Sequence, residues 1–221
     1  MERHFDEELT SLKQKLLHMA DLSQEMIGLS VKALVERSES FAKEVFNLEQ
    51  QVNRMEVDIE EDALRLLALR QPAARDLRLI TAILKINNDL ERVADQAVNI
   101  AELATFLLKE PPLKPLIDIP QMAKLSQQMI KKSLEAFVNH DPALAHRVCE
   151  NDDEVDRIND QIFRELLTYM MEEPKSITRA VDLILVSRNL ERIADHATNI
   201  SEDVIFIEEG KNIKHHIQEN R

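Results

Sequence analysis

Two carboxylates four residues apart, followed four residues later by an amide, occur twice in the chain. They are Glu91, Asp95 and Asn99 in LERVADQAVNI (residues 90–100), and Glu191, Asp195 and Asn199 in LERIADHATNI (residues 190–200). On an α-helix such a row shares one face, and Asn88 and Glu102 extend the first row as Glu202 extends the second. Oxygen donors of this kind suit hard or borderline cations, Mg²⁺, Mn²⁺ or iron, rather than a thiolate-seeking ion. The segment before each motif supplies a second row: Glu49, Asn53, Glu56 and Glu60, matched at an offset of 103 by Asp152, Asp156 and Asn159. Helices pack about 8–10 Å apart, so rows on adjacent edges can meet over one cation. Glu91, Asp95, Glu49 and Asn53 form one candidate metal site, and Glu191, Asp195, Asp152 and Asp156 the other.

An acidic stripe opposite an apolar face is ordinarily solvated helix surface. Three features set these stripes apart. The pattern is kept in both copies, it lies on two segments of each half, and like charges at i and i+4 repel without any benefit to folding. Arg92 and Arg192, one position on, offset part of that repulsion. His196 follows Asp195 about 100° round the helix, where the first copy has Gln96, and reads as a surface residue rather than a ligand. The pair His215-His216 stands on a short polar tail, and the lone Cys149 reads as a small core or boundary residue. No Glu-x-x-His pair of the di-iron bundles is present. Neither is a phosphate-binding glycine loop, a nucleophile elbow or an HExxH motif, so catalysis has little to stand on.

The elements that must carry these rows are helices. Leu90, Val93, Ala97, Ile100, Ala104 and Leu107 recur at steps of three and four, and the chain holds two Gly, one Tyr and no Trp. Apolar spacing predicts a first helix from Phe5 to about Val35, a second from the Ser38–Ser40 cap to about Leu69, and a third from Pro72 to about Lys109. Gly28 inside the first helix reads as a tolerated weak spot. The segment 111–120, PPLKPLIDIP, holds four prolines and reads as a linker. The order then repeats, since Leu125–Ile130 echoes Leu22–Ile27. His140-Asp141-Pro142 caps a fifth helix, Glu173-Pro174 ends it, and a sixth stops near Gly210. The expectation is an all-α chain of six long helices, a tandem duplication of two antiparallel three-helix bundles covering 1–110 and 121–221.

A net charge of −13 disfavours nucleic acid, whose phosphates need a basic face, and suits cations or basic protein surfaces. One cysteine fits a reducing compartment. A charged start without an apolar core region, and the lack of an apolar run of about 18 residues, predict a cytoplasmic chain that meets a membrane only through partners.

These features resemble the PhoU proteins, regulators of bacterial phosphate uptake. The family signature, Glu/Asp-x-x-x-Asp in the third helix of each bundle, stands here as Glu91–Asp95 and Glu191–Asp195, and QPAARDLRLITAILKINNDLER and RAVDLILVSRNLER also read as family sequence. The resemblance implies surface metal clusters of iron, zinc, magnesium or manganese on these motifs. It also implies a cytoplasmic, often dimeric adaptor that is not an enzyme. Such an adaptor couples the ATPase subunit of a phosphate ABC transporter to the cytoplasmic domain of a phosphate-sensing histidine kinase, and keeps the starvation response off when phosphate is plentiful. Gln50-Gln51 stands where the second copy has Asp153-Glu154, so the first site is expected to be poorer in charge. A carboxylate-rich metal-storage or redox bundle, and a purely structural bundle, are the rival expectations.

Overall fold

Seven α-helices and no strand make up the described part of the chain, residues 2–70 and 72–210 of a computed structural model. They are α1 (Glu2–Val35), α2 (Glu39–Arg70), α3 (Ala74–Leu107), α4 (Asp118–Asn139), α5 (Pro142–Glu150), α6 (Asp152–Glu172) and α7 (Ile177–Glu209), with a single 3₁₀ turn at Pro174–Ser176 before α7. The chain is all-α as the periodicity predicts. The helix expected after His140 is divided at Asn151 into α5 and α6. There the Asn151 amide donates to the Val148 carbonyl at 3.1 Å and the Glu154 amide to the Asn151 carbonyl at 3.1 Å. The break gives Asp152, Asp153 and Glu154 a new helix N-terminus, where the free amides favour anions. Its counterpart α2 runs unbroken. Helix α2 ends at Arg70, one residue past the expected Leu69, and the tail with His215-His216 lies outside the described residues.

Packing follows the duplication. Helices α1, α2 and α3 contact one another, α4 packs with α5, α6 and α7, and the two sets meet along α3 against α7 and α1 against α4. One continuous aliphatic core joins them. Ala94, Ala97, Ala101 and Ala104 on α3, and Ala194 and Ala197 on α7, are almost completely buried. Lys85 crosses the seam to Asp203 at 2.8 Å.

The proline-rich stretch is tied down rather than loose. Arg37, in the left-handed region at φ 53°, donates to the carbonyls of Leu107, Leu108 and Glu110, where the helical hydrogen bonding of α3 runs out. Arg179 donates to the Pro111 carbonyl at 2.9 Å, and the buried Lys114 pairs with Glu165 and Asp118. Helix α4 already starts at Asp118, which puts Pro120 in its first turn, where a missing N–H costs nothing.

Gly28 has a steric reason that its sequence neighbours do not reveal. A Cβ there would lie 3.2 Å from Nε2 of Gln127, which donates to the Gln24 carbonyl across the α1–α4 contact. Gly210 ends α7 at φ 69°, and a Cβ there would meet nothing within 4 Å, so its cost of replacement is purely conformational. Gly210→Ala is expected to lower stability by about 1 kcal/mol in urea unfolding, with an unchanged m-value.

Candidate metal centres on the paired helices

Each acidic groove is set by a short list of buried polar contacts that the duplication repeats. Asn87, buried on α3, donates to the Glu56 backbone carbonyl at 3.0 Å and so fixes the register of α2 against α3. At the matching positions Ser187 donates to Asn159 Oδ1 at 2.8 Å, between α7 and α6. A second pair comes from behind. Ser23 Oγ on α1 lies 2.9 Å from the Met19 carbonyl and 3.3 Å from that of Leu90, and Ser126 Oγ on α4 lies 3.0 Å from those of Met122 and Leu190. One hydroxyl proton is shared between each pair of acceptors. Both serines thus hold the backbone immediately before a motif glutamate, Glu91 or Glu191.

With the register so fixed, the first groove lies between α2 and α3. Partial burial, then the charges of Asp95 and Glu102, raise the Glu49 carboxyl. Partial burial, then Asp95 and Glu56, raise that of Glu91, with Arg92 opposing. Asn53 stands exposed on the same row of α2. The sequence-derived set Glu49, Glu91 and Asp95 therefore shares one electrostatic neighbourhood, which Glu56 and Glu102 enlarge.

The second groove, between α6 and α7, is more charged. Asp152, at the first residue of α6, is pushed up to about 7 by burial first, then by Asp195, Asp156, Asp153 and Glu191. One of its oxygens, Oδ1, is buried without a hydrogen-bond partner. Glu191 is raised by partial burial against the relief of Arg188, whose Nη1 lies 3.6 Å from its carboxylate. Asp156 is raised by partial burial and then by Asp153 and Asp160. In Asp195 partial loss of hydration comes first and the Asp156 charge second. The helix N-terminus should lower Asp152, yet the other four carboxylates and burial outweigh it. The first groove has Asn53 where the second has Asp156, and Gln50 where the second has Asp153, so at these two positions it carries less charge.

Asn99 and Asn199 turn toward the seam between the halves instead of the grooves. Asn99 Nδ2 lies 3.5 Å from Asn189 Oδ1, and Asn199 Nδ2 donates to Asp89 Oδ1 at 3.2 Å. His196 is there too, with Nδ1 2.8 Å from Asp89 Oδ1, and its side chain is largely buried. The expectation of a surface histidine is corrected: the side of α7 that carries it faces α3, not solvent. Cys149 lies at a boundary, its thiol pushed up to about 12 by burial, Glu202 and Asp152.

The residues that sequence reasoning missed are Ser23 and Ser126, which fall on the apolar face of their helices. Their signal was present, since a polar residue kept at a buried position in both copies needs a partner. Ser23→Ala and Ser126→Ala are each expected to lower stability by about 1 kcal/mol, read from the urea midpoint.

Carboxylates raised together, with one orphaned buried oxygen, form a donor set that fits a cation, while the arginines beside the two motif glutamates offset part of their charge. As placed, no three His, Cys, Asp or Glu side chains among the described residues converge closely enough to hold an ion. Mutual repulsion opposes such convergence until a positive charge is present.

Comparison with known proteins agrees with this architecture. A family model described as the PhoU domain matches residues 16–104 and again 119–204. The "Phosphate-specific transport system accessory protein PhoU homolog" of Aquifex aeolicus is 44% identical over 213 residues, 96% of each chain. Its counterpart from Pseudomonas putida is 40% identical, over 96% of this chain and 84% of that one. Among solved structures, PhoU from Pseudomonas aeruginosa superposes with a TM-score of 0.91 at 39% identity, covering 94% of this chain and all of that one. The phosphate transport system regulatory protein PhoU from Streptococcus pneumoniae gives 0.86 at 29% identity, over 94% and 98%.

Proposed function

The chain belongs to the PhoU family, and from that premise we propose that it is an accessory regulator of phosphate uptake which holds the phosphate-starvation response off when phosphate is plentiful. The observation that carries this reading is the end-to-end match to relatives named as accessory proteins of phosphate-specific transport. The chain works as a cytoplasmic, non-enzymatic adaptor. Its acidic face docks on the ATPase subunit of a phosphate ABC transporter and on the cytoplasmic domain of a phosphate-sensing histidine kinase, and the state of the transporter sets how the kinase is held. No described helix is long and apolar enough to cross a membrane, which supports membrane contact through partners.

Metal ions belong to this reading. Glu49, Asn53, Glu91 and Asp95 would hold one cation, with Glu56 and Glu102 beside them, and Asp152, Asp156, Glu191 and Asp195 the other, drawn from iron, zinc, magnesium and manganese. Such an ion would supply the positive charge that these carboxylates lack, fixing α2 against α3 and α6 against α7 or bridging to a partner. The two PhoU-domain repeats fold as matched bundles joined by the proline-rich stretch, and the protein acts as a homodimer. Metal storage is the second reading, and oxygen consumption with ferrous iron would favour it.

A pull-down with the purified ATPase subunit and with the kinase cytoplasmic domain, with Mn²⁺ or with chelator, tests the adaptor role. Retention of either partner is the expected result, and no retention of either under both conditions would overturn it.

A further inference from the structure

We infer that the break at Asn151 is a joint that closes when a cation is held in the second groove, joining α5 and α6 into one helix like α2. This rests on the metal sites proposed above and gives the second groove a movement that the first lacks. The break is a soft one. Asn151 keeps right-handed helical angles, φ −79° and ψ −10°, and its side chain makes no capping hydrogen bond. The Asn151 amide reaches back three residues to Val148 and the Glu154 amide three to Asn151, where an α-helix reaches back four. No proline or glycine stands between Pro142 and Pro174. Nothing in the local chain therefore forbids a continuous helix.

Charge opens the joint. Five of the seven residues from Glu150 to Asp156 are carboxylates, whereas the matching residues 47–53 include only Glu49. A continuous helix would set Glu150 beside Glu154 and Asp152 beside Asp156, at steps of four where like charges repel. Arg147 and Arg157 flank this run but form no ion pair among the described residues, and Arg157 donates instead to the Asp153 carbonyl at 3.0 Å. Packing adds the α7 charges of Asp195 and Glu191 at Asp152, whose Oδ1 is buried without a hydrogen-bond partner. Breaking the helix puts Asp152, Asp153 and Glu154 in the first turn of α6, where a helix N-terminus favours anions. The first half has Gln50, Gln51 and Asn53 in place of Asp153, Glu154 and Asp156, and there α2 runs unbroken.

Neutralising these carboxylates reverses the balance. The repulsion within the run is lifted and the advantage of a helix N-terminus at Asp152 is lost, so the hydrogen-bond ladder can pass through residue 151 as it does through the first half. Both sides of the joint are anchored, since Ala145 and Val148 on α5 and Val155 on α6 are fully buried. Closure is thus the tightening of a single turn rather than a swing of either helix. Because α5 packs on α4 and α7, that turn passes the state of the groove to both.

Hydrogen exchange of the full chain, read by mass spectrometry with Mn²⁺ or with chelator, tests the joint against its own first-half counterpart. With chelator the amides of 151–155 should exchange at least about 10-fold faster than those of 48–52, after correction for side-chain effects. With Mn²⁺ the difference should vanish. Glu150→Asn, Asp153→Gln, Glu154→Gln and Asp156→Asn together give four exposed positions the residues of the first half, and this variant should lose the difference with chelator present. Calorimetric titration of the wild type with Mn²⁺ separates the outcomes. Mn²⁺ that binds while 151–155 still exchange faster than 48–52 overturns the joint and leaves the metal sites standing. Mn²⁺ that does not bind overturns both. Equal exchange of the two segments in the metal-free wild type, or a difference that persists in the neutral variant, overturns the joint as well.

Discussion

Alanine at Glu91, Asp95, Glu191 and Asp195 together is expected to lower Mn²⁺ affinity by about 100-fold or more, since even outer-shell changes at metal sites cost about 10- to 100-fold. The motif carboxylates are the part of each groove contributed by α3 and α7, and each lies in the field of the carboxylates on the neighbouring helix. Removing them leaves only one wall of each groove. The same substitution carries a second signature in stability. At a cation concentration of about 100 times Kd the wild type gains about 2.7 kcal/mol per site, and the variant gains nothing. Without metal the variant unfolds no more easily than the wild type, because the carboxylates it lacks repel their neighbours. Isothermal titration and thermal unfolding with Mn²⁺ or with chelator read both effects. A variant that still gains stability from the cation would remove these four residues from the site.

The second large effect concerns Asp152. Its carboxyl sits at about 7 in the folded chain against an ordinary value of 3.8, so the folded state holds a proton that the unfolded chain has lost. The sign is opposite to that of a salt-bridged aspartate. Stability falls as pH rises from about 4, and the full cost is present above about 7. Asp152→Asn removes that cost. At pH 8 the metal-free variant should be more stable than the wild type by on the order of 1–2 kcal/mol, after discount for the part of the side chain that water reaches, and at pH 4 the two should coincide. A cation should reverse the ranking at pH 8, because it stabilises the carboxylate and not the amide. Urea unfolding at the two pH values, with and without Mn²⁺, gives the four comparisons. A variant less stable than the wild type at pH 8 without metal would show that Asp152 is paired rather than strained.

Much of the fold is legible in the sequence because its signals are local. The Leu90–Leu107 spacing, the Asp141-Pro142 cap and the left-handed Gly210 need only neighbours in sequence, and Asp141 does accept from the Leu144 amide at 2.9 Å. The duplication then links distant segments. An offset of 103 pairs Glu49 with Asp152 with no knowledge of contacts, and the grooves follow from that pairing. What stays hidden depends on the direction a side chain takes between two halves. His196 and Asn199 sit on helical positions that look solvent-facing until α3 packs there, and the wheel of an isolated helix carries no seam. The break at Asn151 is hidden as well, since its residues suit either a continuous helix or a fresh N-terminus, and tertiary packing decides between them. Gly28 looks like a weak spot because its neighbour Gln127 comes from the other repeat.

Alkaline phosphatase activity in phosphate-replete cells tests the regulator role and the grooves at once, with the gene deleted and then restored as the wild type or as the variant at 91, 95, 191 and 195. High activity on deletion, lowered by the wild type and left high by a folded variant, is the expected result. Activity that stays low on deletion, in a host with no second copy of the gene, would contradict the regulator reading. Repression restored by the variant would leave the regulator standing and take the carboxylate grooves out of its mechanism.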